Sequence, residues 1–124
     1  MRDVLSRFPD AAVCGVIVWL PMLSSDDAAA AAAAAAPLDH PHLRHFYDAE
    51  KQSGRAIAAE LGGAGRVAWD IYLVYPRGVR WEDGPPTPAV WMHQLEGSSW
   101  ADAAHYRTGE TLVAEVHAAV AALL

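Results

Sequence analysis

The chain has 124 residues, 53% of them hydrophobic and 19% charged, with five tryptophans and a formal net charge of −6. That length fits one domain, residues 1–124, able to bury roughly two-thirds of its unfolded surface, and the apolar fraction excludes an intrinsically disordered chain. Eight of the nine basic residues are arginines scattered singly from Arg2 to Arg107, with Lys51 alone; no basic stripe exists to release counterions from a phosphate backbone, so no nucleic-acid partner is expected.

Arg2 and Arg7 followed by Ala11 to Leu23 superficially resemble a signal peptide. Asp3, Asp10 and Pro9 interrupt the charged region, and Asp26 and Asp27 follow the apolar one. Thirteen mostly apolar residues are also too few to span a bilayer, which takes about 20. No membrane association and a cytoplasmic location are therefore expected. Cys14 is the single cysteine, which excludes an intramolecular disulfide, a CxxC pair and a cysteine-rich zinc site. Its place in an apolar run predicts a small buried hydrophobe.

Val4, Leu5 and Phe8 predict a short helix stopped at Pro9. Val13 to Leu20 is an apolar run rich in β-branched residues, which predicts a strand covered on both faces, as in a parallel sheet. Ser24 or Ser25 then caps a helix through the polyalanine run Ala28 to Ala36, with Asp26 and Asp27 at its positive end and Pro37 closing it. Leu43 to Tyr47 reads as a short strand. Asp48 caps a helix over Ala49 to Leu61, stopped by Gly62 and Gly63. Val67 to Tyr75 is the second strong strand, Pro76 to Gly78 a turn, and Val79 to Trp81 the start of an antiparallel return. Gly84 to Pro88 forms a stiff loop and Ala89 to Leu95 a further strand. A last helix runs from Thr108 or Gly109 to Leu123, with Leu112, Val116, Ala119, Val120 and Leu123 on one face. Alternating strands and helices, then a hairpin and a helix, predict an α/β fold with a mixed sheet flanked by helices.

Three segments carry a family resemblance: VIVWLPM at Val16 to Met22, HFYDAEKQSGRAIAAELG at His45 to Gly62, and IYLVYPRGVRW at Ile71 to Trp81. In this order the chain resembles the later part of thioredoxin-like proteins of the peroxiredoxin and membrane-anchored thiol-reductase type. WDIYLVYPRGVRW with PPTPAVWMHQL is similar to uncharacterised bacterial members of that superfamily. The resemblance implies a thioredoxin-like mixed sheet, N-terminally truncated, because the chain begins about where the family's CxxC-bearing helix would be ending. The family's cis-proline is also replaced, by Ala68, Trp69 and Asp70. Losing both features argues against disulfide exchange, so no catalytic residue carries over.

Among the residues themselves, His40, His42 and His45, with Asp39 nearby, are candidate zinc or copper ligands. A strand over Leu43 to Tyr47 splits them, placing His45 and His42 on opposite faces. On a second strand Trp91 and His93 project to one side; with Trp69, Asp70 and Trp81 they are the candidate lining of a small-ligand pocket. Asp70, a carboxylate in an apolar strand, requires a partner such as His93 or an arginine. Neither GxxxxGK[ST] nor GxSxG is present, and Ser98-Ser99 beside Trp100 reads as turn chemistry.

The expected function is a thioredoxin-like protein without a redox-active cysteine pair. It acts as a non-catalytic binding or interaction domain, or is a truncated relative of a thiol oxidoreductase, without a cofactor. The alternative is a small-ligand or metal-binding enzyme using Asp70, His93 and the His40–His45 cluster. An open sheet edge offers unpaired backbone groups to a second copy or a protein partner.

Overall fold

A computed structural model describes residues 1–10 and 12–124; Ala11, the first residue of the apolar stretch to Leu23, lies outside the described residues. Helices and two small sheets make a mixed α/β architecture, in two compact units, Met1–Gln52 and Ser53–Leu124. No described helix is long and apolar enough to cross a membrane.

The first unit holds α1 (Arg2–Ser6), β1 (Gly15–Trp19), α2 (Ala28–Ala35) and β2 (Leu43–Tyr47). β1 and β2 pair in parallel, Gly15 opposite Leu43 and Trp19 opposite Tyr47. Alternation sends Gly15, Ile17 and Trp19 to one face and Val16 and Val18 to the other. The first face meets α1, whose Val4 and Leu5 are buried. A Cβ added at Gly15 would stand 2.9 Å from Leu43 Cδ1 and 3.4 Å from Leu5 Cδ1, so a larger residue here must move the end of the Leu43 side chain. The other face is open, with Val16 52% and Val18 39% exposed, where the sequence predicts cover on both sides. The run of β-branched residues supplies strand propensity on either face, but a pair of strands with a five-residue helix has apolar cover for one only.

Two further expectations are corrected here. Cys14 is exposed, because β1 begins one residue later and the thiol lies outside its buried alternation. The cap of α2 is Asp27, whose carboxylate accepts the Ala30 N–H at 2.7 Å. Asp26 accepts the Leu23 N–H instead and closes the turn before the helix. Pro37 sits in a 3-10 turn, Ala36–Leu38, that ends the polyalanine segment.

The second unit carries α3 (Gln52–Glu60), which begins at the junction, then β3 (Ile71–Val74), β4 (Val90–His93) and α4 (Gly109–Ala122). Lys51 takes φ 58°, a left-handed conformation that delays α3 past the predicted start at Ala49. β3 and β4 are antiparallel, with Ile71 opposite His93 and Val74 opposite Val90. The return strand is therefore Val90–His93, and Val79 to Trp81 remains outside any strand; Gly78 at φ 85° turns the chain into a longer excursion. Val74, Met92, Ala58, Ala68, Leu112 and Val116 are buried, and α4 packs against β3.

Gly63 follows α3 and receives the Trp100 ring face against its backbone; a Cβ there would fall inside the indole. Replacement by alanine must displace Trp100 or shift the backbone. Gly63→Ala is expected to lower the unfolding free energy by about 1–3 kcal/mol in urea denaturation and to alter the near-ultraviolet circular dichroism of the indoles. An unchanged midpoint and spectrum would show that Trp100 does not pack there.

Candidate functional site

His93 ends β4 and is only 1% exposed. Its Nδ1 lies 3.1 Å from the Leu95 backbone nitrogen and its Nε2 2.8 Å from the Asp102 carbonyl. An amide can only donate and a carbonyl only accept. Nδ1 therefore carries the lone pair, Nε2 the proton, and both are committed. The His93 carbonyl accepts the Arg107 N–H at 2.9 Å. A single imidazole thus folds residues 95–102 back over the strand end, closing a recess of about 110 Å³ bordered by His93, Leu95, Ser98 and Tyr106. Its placement is structural, with no ring nitrogen left to bind metal or take a proton from substrate.

Asp70 precedes β3 at φ 54°. Its carbonyl accepts the Gln94 N–H at 3.1 Å, and its Oδ1 accepts from Gln94 Nε2 at 2.9 Å. The same amide donates to the Tyr72 hydroxyl at 3.1 Å. The carboxylate's partner is therefore Gln94, and neither His93 nor an arginine. Aspartate adopts left-handed backbone more readily than most non-glycine residues, and here that conformation breaks the predicted strand before Ile71; Trp69, the residue before it, is 43% exposed.

Trp69 borders an open hollow of about 370 Å³, together with Arg66, Gln94, Leu95, Glu96, Ser98, Ser99 and Trp100. Ser98 Oγ accepts the N–H groups of Trp100 and Ala101 at 3.2 and 3.0 Å, which fixes the loop that presents Trp100. Among the described residues, neither the Arg66 guanidinium nor the Glu96 carboxylate is engaged in an ion pair or side-chain hydrogen bond. The hollow therefore offers two indoles, a free cation and a free anion.

The five predicted pocket residues do not share one cavity. Trp69 lines the hollow, Asp70 buttresses it through Gln94, and His93 lines the smaller recess. Trp91 stacks on His105 with centroids 4.0 Å apart, and His105 Nδ1 donates to its carbonyl at 3.0 Å. Trp81 lies in the excursion between β3 and β4, 49% exposed. Sequence reasoning missed Arg66, Gln94, Glu96 and Trp100; a tryptophan in a Gly/Ser-rich loop is the one signal that marks the last.

The histidines of the first unit are not grouped as ligands. His40 Nδ1 accepts the His42 N–H, and His45 Nδ1 accepts Trp19 Nε1–H, both at 3.1 Å. Each of those rings then carries its proton on Nε2 and has no lone pair for a metal. His42 donates from Nδ1 to the Val13 carbonyl and, of the three, alone keeps a lone pair on Nε2. No group of three or more His, Cys, Asp or Glu side chains among the described residues is arranged to hold a metal ion.

Burial, and secondarily the charge of Asp70, holds the Tyr72 hydroxyl above the ordinary tyrosine value of 10.0; burial and then Glu60 do the same for Tyr75. The folded state thus keeps its phenol protons after the unfolded chain releases them. Stability from this source is complete below about pH 10 and is lost as pH rises through the higher folded values. Titration monitored by phenolate absorbance is expected to show two late tyrosines, with the unfolding midpoint falling over that range. His93→Ala, which leaves the Leu95 N–H and the Asp102 carbonyl unpaired, is expected to cost about 2–4 kcal/mol in urea denaturation; a loss under about 1 kcal/mol would mean that the loop holds its place without the imidazole. No protein family, curated protein or solved structure matches this chain.

Proposed function

We propose that this is a thioredoxin-like binding domain that performs no thiol–disulfide exchange and takes a small ligand in the hollow between Trp69 and Trp100. Two features support the fold reading. After α1 the order is strand, helix, strand, helix, antiparallel pair, helix, and the first two strands are parallel. The functional reading rests on the hollow itself. An exposed indole is held outward by a left-handed Asp70 that Gln94 fastens at two points. Unusual backbone conformations cluster at active sites and ligand clamps.

Binding is favoured over catalysis because the histidine nearest in sequence to the hollow's lining and the cysteine content give no assembled reacting group. His93 has both nitrogens bonded, and the solitary cysteine of the sequence lacks the second thiol that dithiol exchange requires. A cytoplasmic setting accords with that solitary thiol and with the acidic net charge. The unpaired edges of the two-stranded sheets are the sites where a protein partner would add a strand.

The purified chain is expected to reduce insulin no faster than reductant alone, and Cys14→Ser to leave that rate unchanged. Trp69→Ala, at an exposed position, is expected to leave the unfolding free energy within about 0.5 kcal/mol while abolishing ligand-induced changes in the indole N–H resonances. Turnover dependent on Cys14 would overturn the binding assignment.

A further inference from the structure

The hollow has no net charge, yet it carries one unpaired charge of each sign. Arg66 and Glu96 both border it, both are exposed, and they do not form an ion pair with each other. A purely anionic ligand would gain Arg66 but meet Glu96, and a purely cationic one the reverse. A neutral apolar ligand would desolvate both charges without compensation. A molecule bearing a carboxylate and an ammonium offers each its opposite charge, and a carboxylate suits the planar donor fork of an arginine.

The indoles fit the same chemistry. Trp69 and Trp100 border the hollow with ring nitrogens that bond to no described residue. Their N–H groups are donors only, suited to a carboxylate, and their faces attract an ammonium or an apolar side chain. A volume of about 370 Å³ lies at the small end of ligand sites, enough for about one amino acid or a dipeptide.

Resting on the binding role assigned above, we infer that the hollow is a site for a free α-amino acid type of zwitterion with an apolar or aromatic side chain, its carboxylate on Arg66 and its ammonium on Glu96. The discriminating contacts are the two charges, and the tryptophans supply aromatic lining of the same hollow.

The test titrates the full chain with L-phenylalanine, following the Trp69 and Trp100 indole N–H resonances assigned through Trp→Phe variants. Phenethylamine, which lacks the carboxylate, and N-acetyl-L-phenylalanine, which lacks the ammonium, serve as single-charge probes. L-phenylalanine is expected to shift both resonances saturably. Each single-charge probe, and each of Arg66→Gln and Glu96→Gln with L-phenylalanine, is expected to bind about tenfold more weakly, the loss of one charge-assisted bond. Both substitutions lie at exposed positions, and an unchanged spectrum elsewhere confirms that the variants fold. Equal affinity for the single-charge probes, or no effect of either charge substitution, overturns the zwitterion. Shifts on adding maltose but none with L-phenylalanine overturn the ligand class and leave the hollow a binding site; silence of both resonances with every probe overturns the class and the binding role together.

Discussion

The buried ring of His93 sets the arrangement of the second unit. It terminates β4, and every polar atom it brings inside is answered by backbone: Leu95 N–H at one nitrogen, the Asp102 carbonyl at the other, and Arg107 N–H at its own carbonyl. Burying a polar ring without partners would cost several kcal/mol, so the chain after β4 is constrained to return to it. That return presents Ser98, which fixes Trp100, which in turn lies on Gly63. Arg107 then pairs with Glu115 at 2.7 Å, joining the end of this loop to α4. The wall of the hollow is thus loop, but loop held at both ends by a side chain in the strand.

The first unit shows the same economy of polar groups with the opposite outcome. Trp19 donates to His45 across the parallel pair and lies nearly parallel to it, 13° between planes. That bond stabilises the pairing and removes the imidazole's lone pair. It also leaves His45 Nε2 buried without a partner among the described residues, a donor whose desolvation the pairing must offset. The outer face, with Val16, Val18 and Phe46 exposed, is apolar surface to which the polyalanine helix adds no buried residue.

Much of the element order was legible because it rests on strong local signals. The β-branched run centred on Val16 to Val18, the prolines at 9 and 37, the glycine pair after α3 and the periodic apolar face of α4 each act over a few residues. What escaped was decided by contacts distant in the chain. Asp70 looked like a carboxylate inside a strand, because sequence patterning does not show the left-handed φ that places it at the strand's end. Its partner Gln94 lies 24 residues away. Cys14 looked buried because an apolar run does not reveal which of its residues the alternation turns outward. Alternation did place Trp91 and His93 on one side of their strand, but the pocket drawn from them mixed two environments. His93 closes a recess, whereas the hollow owes its charges to Arg66 and Glu96, residues that read as ordinary solvated surface until the fold sets them around two indoles.

The proposed binding role makes demands on the hollow that differ from those of a reacting site. General acid–base chemistry needs a group poised near neutrality and within reach of substrate. Tyr72, the titrating group nearest the hollow with a displaced equilibrium, is moved by burial and by Asp70 away from neutrality, so it stays a phenol and accepts a hydrogen bond from Gln94. That bond serves Gln94, which uses the same amide to hold Asp70 and so to keep Trp69 outward. Recognition makes the reverse demand, for fixed charges and rigid aromatic surface whose partners are missing until a ligand arrives. Arg66, Glu96, Trp69 and Trp100 meet it. On the proposed binding role, the left-handed φ of Asp70 has a use, because it turns the chain between Trp69, which borders the hollow, and β3.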